Sequence, residues 1–349
     1  MKIGILTFYY CKNYGAFLQA FALKKYLETL GHDTFFVNYK IKSLIKRYTL
    51  FPYYKERSFL GNLKANFRAI FEIKNRSLRI SKFNSFSKEY FKEKGIYSRN
   101  DADLIFVGSD QVWNPKLTYG YDEIYYGILA KKYNIPHFTY AVSCPASLLT
   151  LDIKSYLSNF KKIGVREREL QSTLKKMFDV DSVMTLDPTL LFTVSFYNKL
   201  IESQPVALKQ NYLLSYNLMS NKSQTECAIT YAKDRNLTYV GMHDIAFKTA
   251  GPLDFLSLIK NAKYIFSSSF HGTVFSILFH KKFMCFLSGD ERDERILSLL
   301  EALKLEQCIY SKDKPLFPNV NWVEVDKKME DMREKSKLYI TNIAKNVSK

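Results

Sequence analysis

One feature constrains this chain above all others: apolar runs of strand length alternate with segments of helical periodicity almost from end to end. Parallel strands need long crossovers, and helices laid back on the sheet supply them, so this alternation predicts α/β units with parallel sheets covered on both faces. KIGILTF (2–8) is the first expected strand. A turn through Asn13, Tyr14 and Gly15 opens a helix whose apolar positions Phe17, Leu18, Phe21, Ala22, Tyr26, Leu27 and Leu30 follow the 3.6 period, and Gly31 ends it. Further strands are expected at 34–39, 103–109, 137–143, 161–166 and 183–186.

After Asp187 and Pro188 the pattern loosens, and 203–211 has the character of a linker. A second alternation follows, with strands at 212–218, 237–242, 263–268 and 282–287 and helices over 221–235, 254–262, from 272 and over 291–303. Two α/β units joined in this way would enclose a cleft between the carboxyl ends of their sheets, where ligands of such folds bind.

Residues 40–99 break the alternation. They hold 16 Lys and Arg against four acidic residues, so +12 of the chain's net +18 lies here, together with 12 Phe and Tyr. Phe59, Leu60, Leu63, Phe67, Ile70 and Phe71 fall at helical spacing, and Lys64, Arg68, Lys74, Arg76 and Arg79 occupy other faces. Two readings fit a basic insertion of this kind: an arm that meets an anionic membrane, or a helical insertion that packs its aromatic stripe on its own domain. Cations interleaved with aromatics also suit single-stranded nucleic acid, but no RNA-binding motif accompanies them, and nucleic acid is not expected as a partner.

The five cysteines are widely spaced and form no C-x-x-C pair, which argues against a disulfide framework or a zinc site. His32, His137, His243 and His280 lack partners at metal-ligand spacing, so no metal is expected. No run approaches the ~20 apolar residues that span a bilayer. The opening MKIGILTFYY leads straight into patterned sequence, so a cytoplasmic protein is expected.

Chemistry concentrates at strand ends. In SSSFHGTVFSILF (267–279), His271 would stand at a strand's carboxyl end and a helix's amino end, where free N–H groups and the helix dipole favour an anion. Ser267, Ser268 and Ser269 add hydroxyls, and the imidazole could act as a general acid or contact phosphate or carboxylate. The plainer alternative is a histidine that caps its helix. VGSDQVWNP (107–115) places Ser109, Asp110, Gln111 and Asn114 beside the indole of Trp113, a mixture suited to a sugar, although Ser109 or Asp110 could equally cap a helix. GVRERELQ (164–171) sets Arg166 at a strand end for bidentate contact with an anion, or else in a salt-bridged face with its glutamates. Arg292 and Arg295 begin a late helix among four acidic residues, and Asp187 is expected to form a turn with Pro188. CKNYGAFLQA (11–20) supplies Asn13 and Gly15 at the first strand-to-helix turn but lacks G-x-G-x-x-G, so dinucleotide binding is not indicated.

Five of these segments, NYGAFLQAFAL (13–23), DLIFVGSDQVWNP (103–115), GVRERE (164–169), LDPTLLF (186–192) and SSSFHGTVFSILFHKKF (267–283), resemble in order those of the polysaccharide pyruvyl transferase family. The resemblance implies two Rossmann-like domains facing a cleft, similar to the B-type glycosyltransferase fold. An acceptor-side domain (1–205, with the insertion 40–99) would face a donor-side domain (206–349). It also implies transfer of the enolpyruvyl group of phosphoenolpyruvate onto two hydroxyls of a sugar, without a further cofactor. The sugar is expected to belong to a lipid-linked precursor of a capsular, exopolysaccharide or cell-wall glycan, and the enzyme to work at the inner face of the cell membrane. By the same resemblance His271 matches the catalytic histidine and Arg166 an arginine that holds phosphoenolpyruvate. Ser269 stands where some members have arginine, so Lys281 or Arg295 would supply the missing cation, and Phe270 and Gly272 would flank the site. The alternative within this fold is a glycosyltransferase that uses a nucleotide sugar.

Overall fold

In the computed structural model, which describes residues 1–204, 208, 211–218 and 220–347, the first sheet is wholly parallel. Its strands are β1 (Lys2–Leu6), β2 (Asp33–Val37), β3 (Glu93–Lys94), β4 (Leu104–Val107), β5 (His137–Thr139) and β6 (Phe160–Lys162), in the order β3-β2-β1-β4-β5-β6. β1 pairs on one side with β2 (Ile3 opposite Thr34) and on the other with β4 (Ile3 opposite Leu104). Helices cover both faces, and β4 is therefore a continuous apolar run with every residue buried. A short parallel pair, β7 (Gly164–Val165) and β8 (Val183–Met184), continues this layer through a bridge from Val142 to Val165. The second sheet, β9 (Tyr212–Tyr216), β10 (Thr238–Gly241), β11 (Tyr264–Ser267) and β12 (Lys282–Cys285), is also parallel, in the order β10-β9-β11-β12.

These orders locate the binding crevices. In the first sheet the chain winds one way from β1 through β2 to β3 and the other way through β4, so the loops after β1 and β4 part company. In the second sheet the loops after β9 and β11 do the same. Ligands of open parallel sheets bind at such reversals.

The helix Tyr14–Thr29 sits between the two halves. Ala16, Ala20, Leu23 and Leu27 pack into the first core, while Tyr14, Phe17, Leu18 and Phe21 pack into the second. A helix buried on nearly every side must be apolar nearly all round, which is why this one shows only a weak amphipathic pattern.

Two features depart from the expected division at 205/206, a boundary that lies outside the described residues. The chain's last helix, Trp322–Val347, straddles both cores: Val325 and Met329 pack with the second, whereas Tyr339, Ile340 and Ile343 pack with the first. The Tyr339 hydroxyl donates to the Thr139 carbonyl at 2.9 Å. Residues 206–349 are thus not one unit, since their end returns to the first sheet. The insertion bridges too. Its helix Ile73–Tyr90 sends Phe83 and Phe86 into the second core, with Phe83 against Tyr14 and Phe17.

The preceding helix, Phe59–Phe71, buries only Asn62 and Ala69. Its aromatic stripe does not pack on its own domain: Phe59, Phe67 and Phe71 are 81%, 62% and 76% exposed. No described helix is long and apolar enough to cross a membrane.

Candidate active site

β11 delivers the chain into a stiff serine turn. Ser267 Oγ accepts from the Ser269 amide and donates to the Ser269 carbonyl, both at 3.1 Å. Ser269, extended at φ −116°, caps the helix Phe270–Leu278 by accepting from the Gly272 amide at 3.4 Å. His271 therefore occupies the first helical turn. Gly272 beside it lies tight against Ser267 and Tyr216.

The imidazole is 7% exposed and lies between the domains rather than inside the second one. Its Nδ1 edge rests on Gly15, where an added Cβ would stand 2.1 Å away. Asn13 prepares that contact by capping the helix Tyr14–Thr29, accepting from the Gly15 and Ala16 amides. On the opposite edge, Asp187 Oδ2 is 3.3 Å from Nε2, within ion-pair reach but off the line of a hydrogen bond.

Asp187 is the hub of a buried network. Its Oδ1 accepts from the Thr189 amide (3.0 Å) and hydroxyl (2.6 Å), and its Oδ2 from Arg166 Nη1 at 2.6 Å. Arg166 Nε donates to Glu167 Oε1 at 3.1 Å, and that oxygen also accepts from the Ser143 hydroxyl at 2.6 Å. Arg166 Nη2 is 3.9 Å from Asp110 Oδ1 and has no acceptor. Burial pushes the Asp187 carboxyl up, but His271, Arg166 and Thr189 together outweigh it and hold the group well below the ordinary range. Burial also pushes Glu167 up, opposed by Arg166 and Ser143. For Arg166 the carboxylates of Glu167, Asp187 and Asp110 outweigh burial, so its guanidinium stays firmly charged.

Arg295 behaves differently. It shares the Phe270 ring with Arg166, the two guanidinium carbons lying 5.7 and 4.5 Å from the ring centre. Burial, and next the charge of Arg166, lower its pKa. Its Nε is buried without an acceptor, as is Nε of Arg47 from the insertion.

A cavity of about 210 Å³ opens where the two chain reversals face each other. Phe8, Cys11 and Asn13 reach it from the loop after β1, and Asp110 and Gln111 from the loop after β4. Leu218 follows β9, while Ser268, Ser269, Phe270 and His271 follow β11. Arg47, Tyr48, Arg292 and Arg295 complete the wall.

Several expected residues lie elsewhere. Trp113 is not a sugar platform: it is wholly buried, its indole donates to the Tyr125 carbonyl at 3.0 Å, and its ring stacks on Tyr126. Ser109 is also buried outside the cavity, its carbonyl accepting from Thr7. The cause is Gly108, at φ +105° with the Tyr140 carbonyl so near that a Cβ would meet it at 2.5 Å, which sends the chain inward before Asp110 emerges. Lys281 lies past the other end of the His271 helix and donates to the Lys260 carbonyl, so Arg295 is the cation at hand. Arg166 lines a second cavity of about 310 Å³ that shares Phe270 and Arg295 as a wall with the first. Sequence reasoning missed Arg47 and Tyr48, and it gave Asp187 only a turn. The available signal was that Asp187, like Asp110, closely follows a buried strand-like run. Among the described residues, no group of three or more His, Cys, Asp or Glu is arranged to hold a metal ion.

The sequence profile described as polysaccharide pyruvyl transferase matches residues 13–290. No curated protein matches closely enough to count as a relative. Among solved structures, the chain is similar to the UDP-GlcNAc 2-epimerase of Methanocaldococcus jannaschii, with 12% identity, a TM-score of 0.50, and coverage of 99% of this chain and 100% of the other. The Neisseria meningitidis UDP-GlcNAc 2-epimerase gives 10% identity, a TM-score of 0.50, and coverage of 97% and 94%. A spinosyn forosaminyltransferase gives 10% identity, a TM-score of 0.45, and full coverage of both chains. At such identities the likeness concerns the fold alone, two Rossmann-like domains across a cleft.

Proposed function

The chain belongs to the polysaccharide pyruvyl transferase family, which makes it a transferase, and from that premise we propose that it moves the enolpyruvyl group of phosphoenolpyruvate onto a sugar of a surface-glycan precursor. The carrying observation is a pair of buried, acceptorless guanidinium nitrogens, on Arg295 and Arg47, lining the same cavity as His271. Orphaned buried donors cost about 1–3 kcal/mol each, and a small anion bearing carboxylate and phosphate relieves both.

In this reading Arg295, Arg47 and the amino end of the helix Phe270–Leu278 hold the donor. His271 protonates the methylene carbon, and C2 becomes an oxocarbenium centre. One sugar hydroxyl adds to C2 and its proton restores His271. The second hydroxyl then displaces phosphate, whose departure takes up the remaining proton, leaving a methyl-bearing pyruvate ketal. Arg166 is a positioning residue: through Asp187 it fixes the imidazole from behind. Asn13, Asp110, Gln111 and Ser268 supply polar groups for the acceptor's hydroxyls. The chemistry calls for no cofactor beyond the donor.

The exposed stripe of Phe59, Phe67 and Phe71, flanked by exposed Lys64, Arg68 and Lys74, supports docking of the enzyme on an anionic bilayer. Cosedimentation should favour phosphatidylglycerol over phosphatidylcholine vesicles, and binding that survives Phe67→Asp with Phe71→Asp would refute this.

Isotope transfer tests the reaction. Label from phosphoenolpyruvate should appear in the glycan with equimolar phosphate release, and His271→Ala should lower turnover about 100-fold or more in a folded protein. A requirement for a nucleotide sugar, with no label transferred, would overturn the reading.

A further inference from the structure

Next to the His271 cavity, and sharing Arg47 and Tyr48 with it, lies another of about 350 Å³. Its charged lining is five cations, Lys12, Arg47, Arg76, Arg79 and Lys248, against Glu72 alone. Glu72 is already matched by Lys248 at 2.8 Å. Three parts of the chain converge to make it: the loop after β1 gives Lys12, the insertion gives the arginines, and the second domain gives Lys248.

Two of the cations are paired, Arg47 with Glu56 at 3.0 Å and Lys248 with Glu72, while Lys12, Arg76 and Arg79 form no ion pair among the described residues. Arg76 donates to the Leu50 and Thr49 carbonyls, and Arg79 donates to the Tyr14 hydroxyl while lying over its ring. Arg47, on the wall shared with the first cavity, is held by Glu56 and the Tyr119 hydroxyl, and no hydrogen bond or ion pair engages the Lys12 ammonium among the described residues. Half-buried like charges repel strongly unless a multiply charged anion lies among them. One phosphate needs only one or two such partners; a cavity with three cations outside any ion pair, Lys12, Arg76 and Arg79, beside Arg47 and Lys248, suits two linked phosphates.

We infer that this cavity binds the diphosphate group of the acceptor, so that the sugar attached to it reaches past Arg47 and Tyr48 to His271. The inference rests on the pyruvyl transfer reading and specifies its acceptor class, a diphosphate-linked sugar. The diphosphate could be esterified to a polyprenyl chain or to a nucleoside.

Titration calorimetry of the full chain with inorganic pyrophosphate, in the absence of donor, tests the site apart from the reaction. Wild type should bind, Lys12→Gln and Lys248→Gln should each weaken binding about tenfold, the equivalent of one lost charged contact, and Arg295→Ala should leave it unchanged. Unchanged binding in both lysine variants, or loss of binding in Arg295→Ala, would overturn the proposal, because pyrophosphate would then occupy the donor's place. Failure of isotope transfer with pyrophosphate binding intact would instead sink only the reaction. Competitors separate the sources: displacement by farnesyl diphosphate alone supports a polyprenyl acceptor, by UDP alone a nucleotide-linked one, and by both the shared diphosphate. Displacement by neither overturns the assignment.

Discussion

Replacing Gly15 by alanine adds a single methyl group, and the structure says where it would go. An added Cβ would lie 2.1, 2.6 and 2.7 Å from Nδ1, Cγ and Cε1 of His271. Carbon and nitrogen in contact prefer about 3.5–4.0 Å, so the imidazole must retreat by more than about 1 Å. It cannot do so freely, because Asp187 stands 3.3 Å beyond its other edge and is itself fixed by Arg166 and Thr189. Overpacking of this kind costs about 1–3 kcal/mol, a loss of a few degrees in melting temperature for a chain of this size. Its effect on chemistry is larger, since a misplacement of about 1 Å in a catalytic group can cost 100-fold in rate. Gly15→Ala should therefore remain folded by circular dichroism and melt slightly earlier while kcat falls about 100-fold. Gly15→Ala with kcat within threefold of wild type would refute the idea that the imidazole's position between the domains governs turnover.

Arg295→Ala removes a cation whose charge is opposed by burial and by Arg166, so stability should hold while the donor KM rises about 10- to 100-fold in saturation kinetics; an unchanged KM would exclude Arg295 from the donor site. Trp113→Phe leaves the Tyr125 carbonyl without its indole donor and should cost about 1–3 kcal/mol in denaturant titration, with kcat and acceptor KM unchanged. A tenfold rise in acceptor KM there would restore the indole to the sugar site. Asp187 has a folded pKa held below its unfolded value, so its contribution to stability is complete above about pH 4 and is lost as pH falls through the folded value. Asp187→Asn should thus lower stability at neutral pH by about 3–5 kcal/mol and flatten the acid limb of the stability profile, measured by chemical unfolding between pH 2 and 7. An acid limb as steep as that of wild type would contradict it.

The fold was legible because burial on both faces writes itself into sequence as unbroken apolar runs. β1, β4, β9, β10, β11 and β12 all fall inside expected strands, and Gly31 follows Leu30 at the end of the first helix as its position suggests. His271, Asp110, Gln111 and Asn13, each expected beyond a strand end, do meet at one cavity. Side-chain direction beyond a strand end was not legible. Ser109 and Trp113 are neighbours of Asp110 in sequence, yet the path set by Gly108 turns them into the core. Nor can pairing across about 20 residues be read from spacing, so nothing in GVRERE or LDPTLLF announces that Arg166 spends its Nη1 on Asp187.

The helix Trp322–Val347, unmarked by any motif, supports the Asp187 side of that pairing. Arg333 Nε donates to the Leu190 carbonyl, and the Ser336 hydroxyl accepts from the Leu186 amide, so the helix grips the segment around Asp187 on both sides. The same helix packs into both cores, so the support of Asp187 is tied to both domains. His271 rides on the second domain, Gly15 on the helix both cores share, and Asp187 on a segment clamped by the returning helix. The imidazole's surroundings are thus set by three elements that meet only when the domains are correctly apposed. In the proposed reaction, alignment of the acid would therefore depend on the same apposition of the domains that builds the cavity.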